Sequence, residues 1–171
     1  TQAKTGTQRN YAVYHSALGE GQWLQLNAND RALTDANIWN NQAPDATNFY
    51  VGAANTTNFP GAVFTAYCWT AIPGYSAFGS YTGNNNVDGP FIYTGFRPAF
   101  VLIKLATASG GSWSIHDTTR DVSNPAQLDI FANSSSAEAT NTFTQIDMLS
   151  NGFKIRGDAG TTNQSGQTLV Y

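Results

Sequence analysis

A chain of 171 residues with 41% hydrophobic content can bury a sizeable core, which rules out a disordered segment. Charged residues make up only 11%, under half of the roughly 25% usual for globular chains, and the formal charge is -3. With no Lys/Arg stripe there is no electrostatic footprint for a phosphate backbone, and no run approaches the roughly 20 apolar residues of a membrane span, so neither nucleic acid nor membrane insertion is expected.

In chain order, segments rich in aromatic and branched residues alternate with Gly, Asn and Ser clusters, the balance that suits β-structure. YAVYH (11–15) and WLQLN (23–27) come first. RALTDANIW (31–39) has a helix-like spacing too short to separate from loop. NFYVG (48–52) and AVFTAYCW (62–69) follow, the latter holding the one cysteine, Cys68, whose apolar neighbours predict a buried, inert thiol. PFIYT (90–94), PAFVLIK (98–104), WSIHD (113–117), QLDIF (127–131), FTQIDML (143–149), GFKIR (152–156) and TLVY (168–171) complete a set of about eleven short strands with no long helix.

Four of these segments are answered in the same order roughly 100 residues later. YAVYH pairs with WSIHD, LQLN with LDIF, NFYVG with GFKIR, and TTNFPG (56–61) with TTNQSG (161–166). The period is too long for a solenoid and predicts two related half-repeats, about 1–69 and 98–171, joined by 70–97. They would form a single β-sandwich unit or two packed halves. TLVY ends where FTAYCW continues, and the counterpart of PAFVLIK would end at Lys4, so the expectation is a fragment of a longer chain.

Reactive groups are present without forming a recognised set. Of the eleven carboxylates most lie in turn-like settings such as NAND (27–30), APDA (43–46) and RGDAG (156–160), where Asp caps or turns the backbone. No signature favours the two facing carboxylates, about 5 to 10 Å apart, of a glycosidase. His15 and His116 sit in corresponding strands but one residue apart, hence on opposite faces, which argues against a shared site. GYSAF is not a nucleophile elbow, and neither HExxH nor a cysteine pair occurs. The loop NNNVDG (84–89) places Asn84, Asn86 and Asp88 at alternate positions as a weak calcium candidate, yet it lacks a Glu at the twelfth position and reads better as a hairpin turn. The expectation is no enzyme, no catalytic residue, no cofactor and no metal. Trp39, Tyr75 and Tyr81, the aromatics least embedded in apolar runs, are candidate glycan or subunit contacts, whereas Trp69 and Trp113 read as core.

The segment from Ala66 to Lys104 carries AYCW, then PGYSAFGSYTGN (73–84), then DGPFIYTGFRPAFVLIK (88–104). It resembles a domain of unknown function found in tailed-phage tail and appendage proteins, often from marine phages; LSNGFK (149–154) and the W/Y-x-x-Y/H pattern at Tyr11 and Trp113 fit the same family. The resemblance implies a virion structural protein whose domain commonly sits beside a concanavalin A-like lectin domain, and it transfers no catalytic residue. Physically the motif reads as a corner, with Pro73 and Gly74 turning the chain, Tyr75 and Phe78 straddling the turn, and Arg97 placed to pair with Asp88 or a row of carbonyls.

The expected fold is all-β, an antiparallel β-sandwich of jelly-roll or lectin-like kind built from the two half-repeats. The expected role is a non-enzymatic component that forms or decorates a phage tail, fibre or head appendage at the virion's extracellular surface. Its partners would be other virion proteins and copies of itself as a homo-oligomer. The alternative is a carbohydrate-binding module that attaches the particle to a host surface glycan.

Overall fold

A computed structural model describes residues 2–3 and 10–171; Lys4, and with it the predicted counterpart of PAFVLIK, lies outside them. The described residues form β1 (Gln2–Ala3), β2 (Ala12–Val13), β3 (Gln22–Gln25), β4 (Leu33–Thr34), α1 (Asn55–Asn58), β5 (Phe64–Thr65), β6 (Ser80–Thr82) and β7 (Phe91–Tyr93). They continue with β8 (Phe100–Leu105), β9 (Ser114–Asp117), β10 (Leu128–Phe131), β11 (Ala139–Thr140), β12 (Ile146–Leu149), β13 (Gly152–Ile155), α2 (Gly160–Asn163) and β14 (Thr168–Val170). Every pairing between these strands is antiparallel. The protein is all-β, with helix confined to two single turns.

The largest sheet has six strands in the order β11-β10-β9-β8-β14-β6, and a three-stranded sheet β12-β13-β7 packs over it. Alternation decides which side chains meet, because successive residues of a strand point to opposite faces. Val101, Ile103 and Leu105 of β8 and Leu169 of β14 project to one side, where Ile146, Met148, Phe153, Ile155 and Ile92 of the smaller sheet close over them. Burying such side chains is worth about 1.5–3 kcal/mol each, and this layer is the main core. On the other face Ala106, Trp113 and Val170 pack against Leu24 of β3, which joins the sheet β2-β3-β4 to the rest. Two hydrogen bonds fix that junction, from Trp113 Nε1 to Gln25 O (2.8 Å) and from Ala32 N to Ala106 O (2.8 Å).

Two runs of strands share one pairing scheme. β3 pairs with β2 through Ala12↔Gln25 and with β4 through Trp23↔Leu33. β10 pairs with β9 through Ser114↔Phe131 and with β11 through Asp129↔Ala139. Helices α1 and α2 each follow an alanine whose carbonyl accepts two N–H groups, Ala54 from Thr57 and Asn58, Ala159 from Thr162 and Asn163. Their last asparagines reach back six residues, Asn58 Nδ2 to Gly52 O (3.1 Å) and Asn163 Nδ2 to Gly157 O (2.9 Å). Gly61 and Gly166 then turn with φ of +77° and +70°, a left-handed conformation that favours glycine.

The structure settles one stretch that the sequence left open between helix and loop, and departs from the sequence reading in another. RALTDANIW contributes the two residues of β4 and then a series of turns, with no helix. In AVFTAYCW only Phe64–Thr65 is strand; Cys68 is exposed, and Trp69, expected in the core, is 76% exposed. The reason is tertiary: among the described residues β5 pairs with β1 alone, whereas β14 is flanked on both sides by β8 and β6.

Candidate functional site

Two features stand out: a sealed polar cluster and an exposed aromatic run. The cluster lies where β9 and β10 meet the segment before β12. Ser114 Oγ donates to Asp129 Oδ1 (2.7 Å) and Thr144 Oγ1 donates to Asp129 Oδ2 (2.6 Å). Ser114 Oγ also lies 3.1 Å from His116 Nε2. The serine has one proton and the carboxylate takes it, so the histidine is the donor to the serine oxygen. That leaves His116 Nδ1 bare, and among the described residues it has no partner. Burial holds this imidazole below its ordinary pKa, with the Asp129 charge pulling the other way. A nucleophilic set would place the histidine between serine and carboxylate; here the serine is in the middle, and Ser114, His116, Asp129 and Thr144 are all at most 3% exposed. The arrangement secures a buried carboxylate and presents nothing to a substrate.

The aromatic run begins at β5. Val63 (62% exposed), Tyr67 (75%), Trp69, Ile72 and Tyr75 (78%) and the half-exposed Phe78 follow one another along the chain. Tyr67 and Trp69 stack with ring centroids 6.1 Å apart and planes 22° from parallel, which leaves their outer faces to solvent. Residues 72–76 close a tight turn through the Ile72↔Ser76 bridge, and the Ser76 hydroxyl donates to Thr70 O (2.7 Å). The turn presents Tyr75 outward.

The three aromatics singled out from sequence do not assemble. Only Tyr75 is exposed. Trp39 is 5% exposed, edge-on to Tyr14 at 5.9 Å, with its Nε1 donating to Gln22 O (3.1 Å). The turns after β4 fold it back onto β2 and β3, and the polar NIWNNQ context hid this. Tyr81 lies in β6 with its ring against Phe153, and its hydroxyl donates to Thr162 O (2.6 Å); burial drives that phenol well above its ordinary pKa. Trp113, read as core, is 3% exposed. The pair Tyr67 and Trp69 was missed because an apolar run normally signals burial.

The loop 84–89 folds on itself. Asn84 Oδ1 accepts from Asn86 N (3.1 Å), Asn86 Oδ1 accepts from Asp88 N (2.8 Å), and Asn84 Nδ2 donates to Asp88 O (3.1 Å). The Asp88 carboxylate pairs with Lys154 (2.7 Å), whereas the sequence reading offered it to Arg97 as one of two partners, the other a row of carbonyls. The oxygens a cation would need are thus committed to turn bonds and a lysine, and no cluster of three or more His, Cys, Asp or Glu fit for a metal occurs among the described residues.

Asp88 and Asp147 do border one shallow depression of about 420 Å³, beside Gln145 and Arg156. Each is bound by a cation, Asp147 by Arg156 at 2.9 Å, and Lys154 holds the Asp88 carboxyl below its ordinary pKa. Asp88 is an anion at neutral pH and not a proton donor. Asp35 and Asp45 accept backbone N–H groups two residues on, as turn residues do. His15 does the same through Nδ1, accepting from Ala17 N (3.2 Å), and its Nε2 donates to Tyr171 O (3.0 Å). No helix of the described residues is long and apolar enough to cross a membrane.

The family described as Domain of unknown function (DUF7483) matches residues 2–171. No curated protein and no solved structure matches the chain.

Proposed function

We propose, from the premise that the chain belongs to the DUF7483 family, that it is a non-enzymatic structural component of a tailed-phage particle. In this reading it forms or decorates a tail, fibre or head appendage and works by contact with neighbouring virion proteins and with copies of itself. The observation that carries the reading is the exposed run from Val63 to Phe78. Exposed large apolar side chains, here with Tyr67 and Trp69 stacked on one another, are the material of interaction sites on proteins that stay in solution. The particle setting rests on the likeness of Ala66–Lys104 to domains of tail and appendage proteins, and so does the expectation of a lectin-like neighbour. The shared ladder of the two halves supports descent of residues 1–69 and 98–171 from one duplicated unit.

Mass spectrometry and immunogold labelling of purified particles test this. A fixed copy number at one appendage is the expected result, with Tyr67→Ser/Trp69→Ser lowering incorporation. Protein found free in infected cells and never in particles would remove the reading.

The stacked pair Tyr67 and Trp69 favours a second reading, a glycan-binding surface for host attachment, because sugars stack on exposed aromatic faces. Tyr75 remains in that set, and Trp39 and Tyr81 leave it. Saturable binding to host surface glycans, competed by free sugar and lost in Trp69→Ala, is its expected signature.

A further inference from the structure

We infer that the outer face of the sheet β12-β13-β7 binds a neutral oligosaccharide, with sugar rings stacked on Phe91 and Tyr93 and hydroxyls held by the Asp147–Arg156 and Asp88–Lys154 pairs. This goes beyond the proposed function. The surface shares no residue with the run from Val63 to Phe78, and it stands whether or not the protein belongs to a particle. Strand alternation builds the face. Ile146, Met148, Phe153, Ile155 and Ile92 of this sheet point into the core, so Asp147, Lys154, Phe91 and Tyr93 point out. The register sets Asp147, Lys154 and Phe91 in one row across the three strands, and places Gly152 beside Tyr93 in the next.

Side chains of a strand ordinarily stand up from the sheet, but here two rings are laid down on glycines. A Cβ on Gly152 would meet Ile92 O at 2.1 Å and Phe91 Cε2 at 3.1 Å, so the backbone admits only glycine there and the Phe91 ring folds over it. Gly95, which turns with φ of +82°, leaves similar room beside Tyr93, whose hydroxyl lies 3.6 Å from where a Cβ would stand. Phe91 is half-exposed and Tyr93 is 68% exposed. The two rings form a flat apolar strip on the sheet, the shape on which the C–H faces of a sugar pack.

Along the same strands the face turns polar. Lys154 Nζ pairs with Asp88 Oδ1 (2.7 Å) and donates to Gly89 O (3.0 Å), and Arg156 Nε pairs with Asp147 Oδ2 (2.9 Å). Asp88, Asp147 and Arg156 line the shallow depression of about 420 Å³, a size within the roughly 300–1,000 Å³ of small-molecule sites. Two carboxylates against two cations leave these pairs without net charge, so they do not favour an anionic chain. Nor do they suit a protein partner. The core of a protein interface is depleted of charge, and a second protein laid over both pairs would strip their water without replacing it. A neutral sugar chain meets both parts of the face. Its C–H faces take the rings, while its hydroxyls donate to the carboxylates and accept from Arg156 and Lys154 in place of the displaced water.

The probes are cellohexaose, maltohexaose, laminarihexaose and chitohexaose, with hexagalacturonate as the charged comparator, each titrated into the intact protein and followed by amide NMR. Saturable binding of at least one neutral chain is expected, with a Kd of about 0.1–5 mM and shifts centred on Phe91–Tyr93 and Gly152–Arg156. Tyr93→Ala should weaken it by at least about tenfold, Tyr93→Phe should stay within about twofold, and Arg156→Gln should weaken it by at least about fivefold. Tyr93 is exposed, so thermal unfolding of Tyr93→Ala should match the parent, and lost binding cannot then be lost folding. Trp69→Ala should leave this binding unchanged, which separates the inference from the glycan reading of Tyr67 and Trp69. No binding of any neutral hexasaccharide at about 10 mM, preference for hexagalacturonate, or affinity indifferent to both Tyr93→Ala and Arg156→Gln would overturn it. So would shifts centred on Tyr67–Trp69, or self-association that protects Phe91–Tyr93, since a second copy would then cover the rings. None of these outcomes depends on whether the protein is found in particles, which tests the virion reading separately.

Discussion

Where the second half packs Ser114, His116, Asp129 and Thr144, the first half packs Ala12, Tyr14, Trp23 and Ile38. The strand registers place these residues at matching points, Ala12 with Ser114 and Trp23 with Asp129, which is two residues off the pairing of LQLN with LDIF read from sequence, where Gln25 stands against Asp129. Tyr14 and His116 lie two residues further along the chain, Tyr14 just past the end of β2 and His116 within β9. Ile38 and Thr144 each follow a residue whose N–H is capped by the side chain two before it, Asp35 in one half and Asn141 in the other. One interior is an apolar cluster, the other a hydrogen-bonded carboxylate. The ladder tolerates either chemistry provided the set is complete, because a buried polar group is stable only with its partners present.

The largest effect should come from Trp23→Ala, which empties the middle of the apolar cluster. A loss of about 3–5 kcal/mol in urea denaturation is expected. Trp23→Phe should cost under about 1.5 kcal/mol, since among the described residues the indole Nε1 has no partner to lose. An equal loss from both would mean that the first half is not held by this packing.

Asp129→Ala should cost about 3 kcal/mol, because it strands the Ser114 and Thr144 hydroxyls. Adding Ser114→Ala and Thr144→Val to Asp129→Leu, which moves the site toward the first half's chemistry, should recover at least half of the loss. Additive losses in that series would break the comparison, showing the two interiors to be independent inventions and not interchangeable sets.

The asparagines that end the two single-turn helices differ next. Asn163→Ala should destabilise by about 2 kcal/mol, as it removes side-chain bonds to Asn84, Asn86 and Gly157, while Asn58→Ala should cost under about 1 kcal/mol for its bond to Gly52. Thermal or urea unfolding of the two variants side by side reads the difference. Equal losses would mean that Asn58 holds more than Gly52.

The smallest effect is on pH. Burial lowers the pKa of His116 in the folded state, so the unfolded chain takes up protons first as pH falls. Stability is therefore full above the unfolded value near 6.5 and declines below it, seen as a falling Tm between about pH 7 and 5. His15 shifts in the same direction and adds to the slope. His116→Tyr, the first half's residue, should remove the His116 share of it; an unchanged slope would assign the effect to His15 and elsewhere.

The strand segments were legible because alternation and turn residues are local properties. PAFVLIK, WSIHD, QLDIF, FTQIDML and GFKIR each contain a strand, and the fold class follows from them. The exposure of single aromatics was not legible. Trp39 and Trp69 exchanged the places expected of them: one is folded under by turns in a polar context, the other lies beyond the end of β5 with no described strand over it. The buried cluster was equally hidden, since Ser114, Asp129 and Thr144 come from segments that meet only once β9, β10 and the approach to β12 are in place.

By itself the sequence determined an all-β chain of short antiparallel strands, low in charge, with matching segments in its two halves. Those features arise from the two-residue strand period, the turn chemistry of Gly and Asn, and the kinds of side chain present, all set within a few residues. Tertiary structure alone decided that β14 is flanked on both sides while β5, among the described residues, pairs with β1. That choice depends on where the linker 70–97 lies, and its strands can pair with only one half at a time.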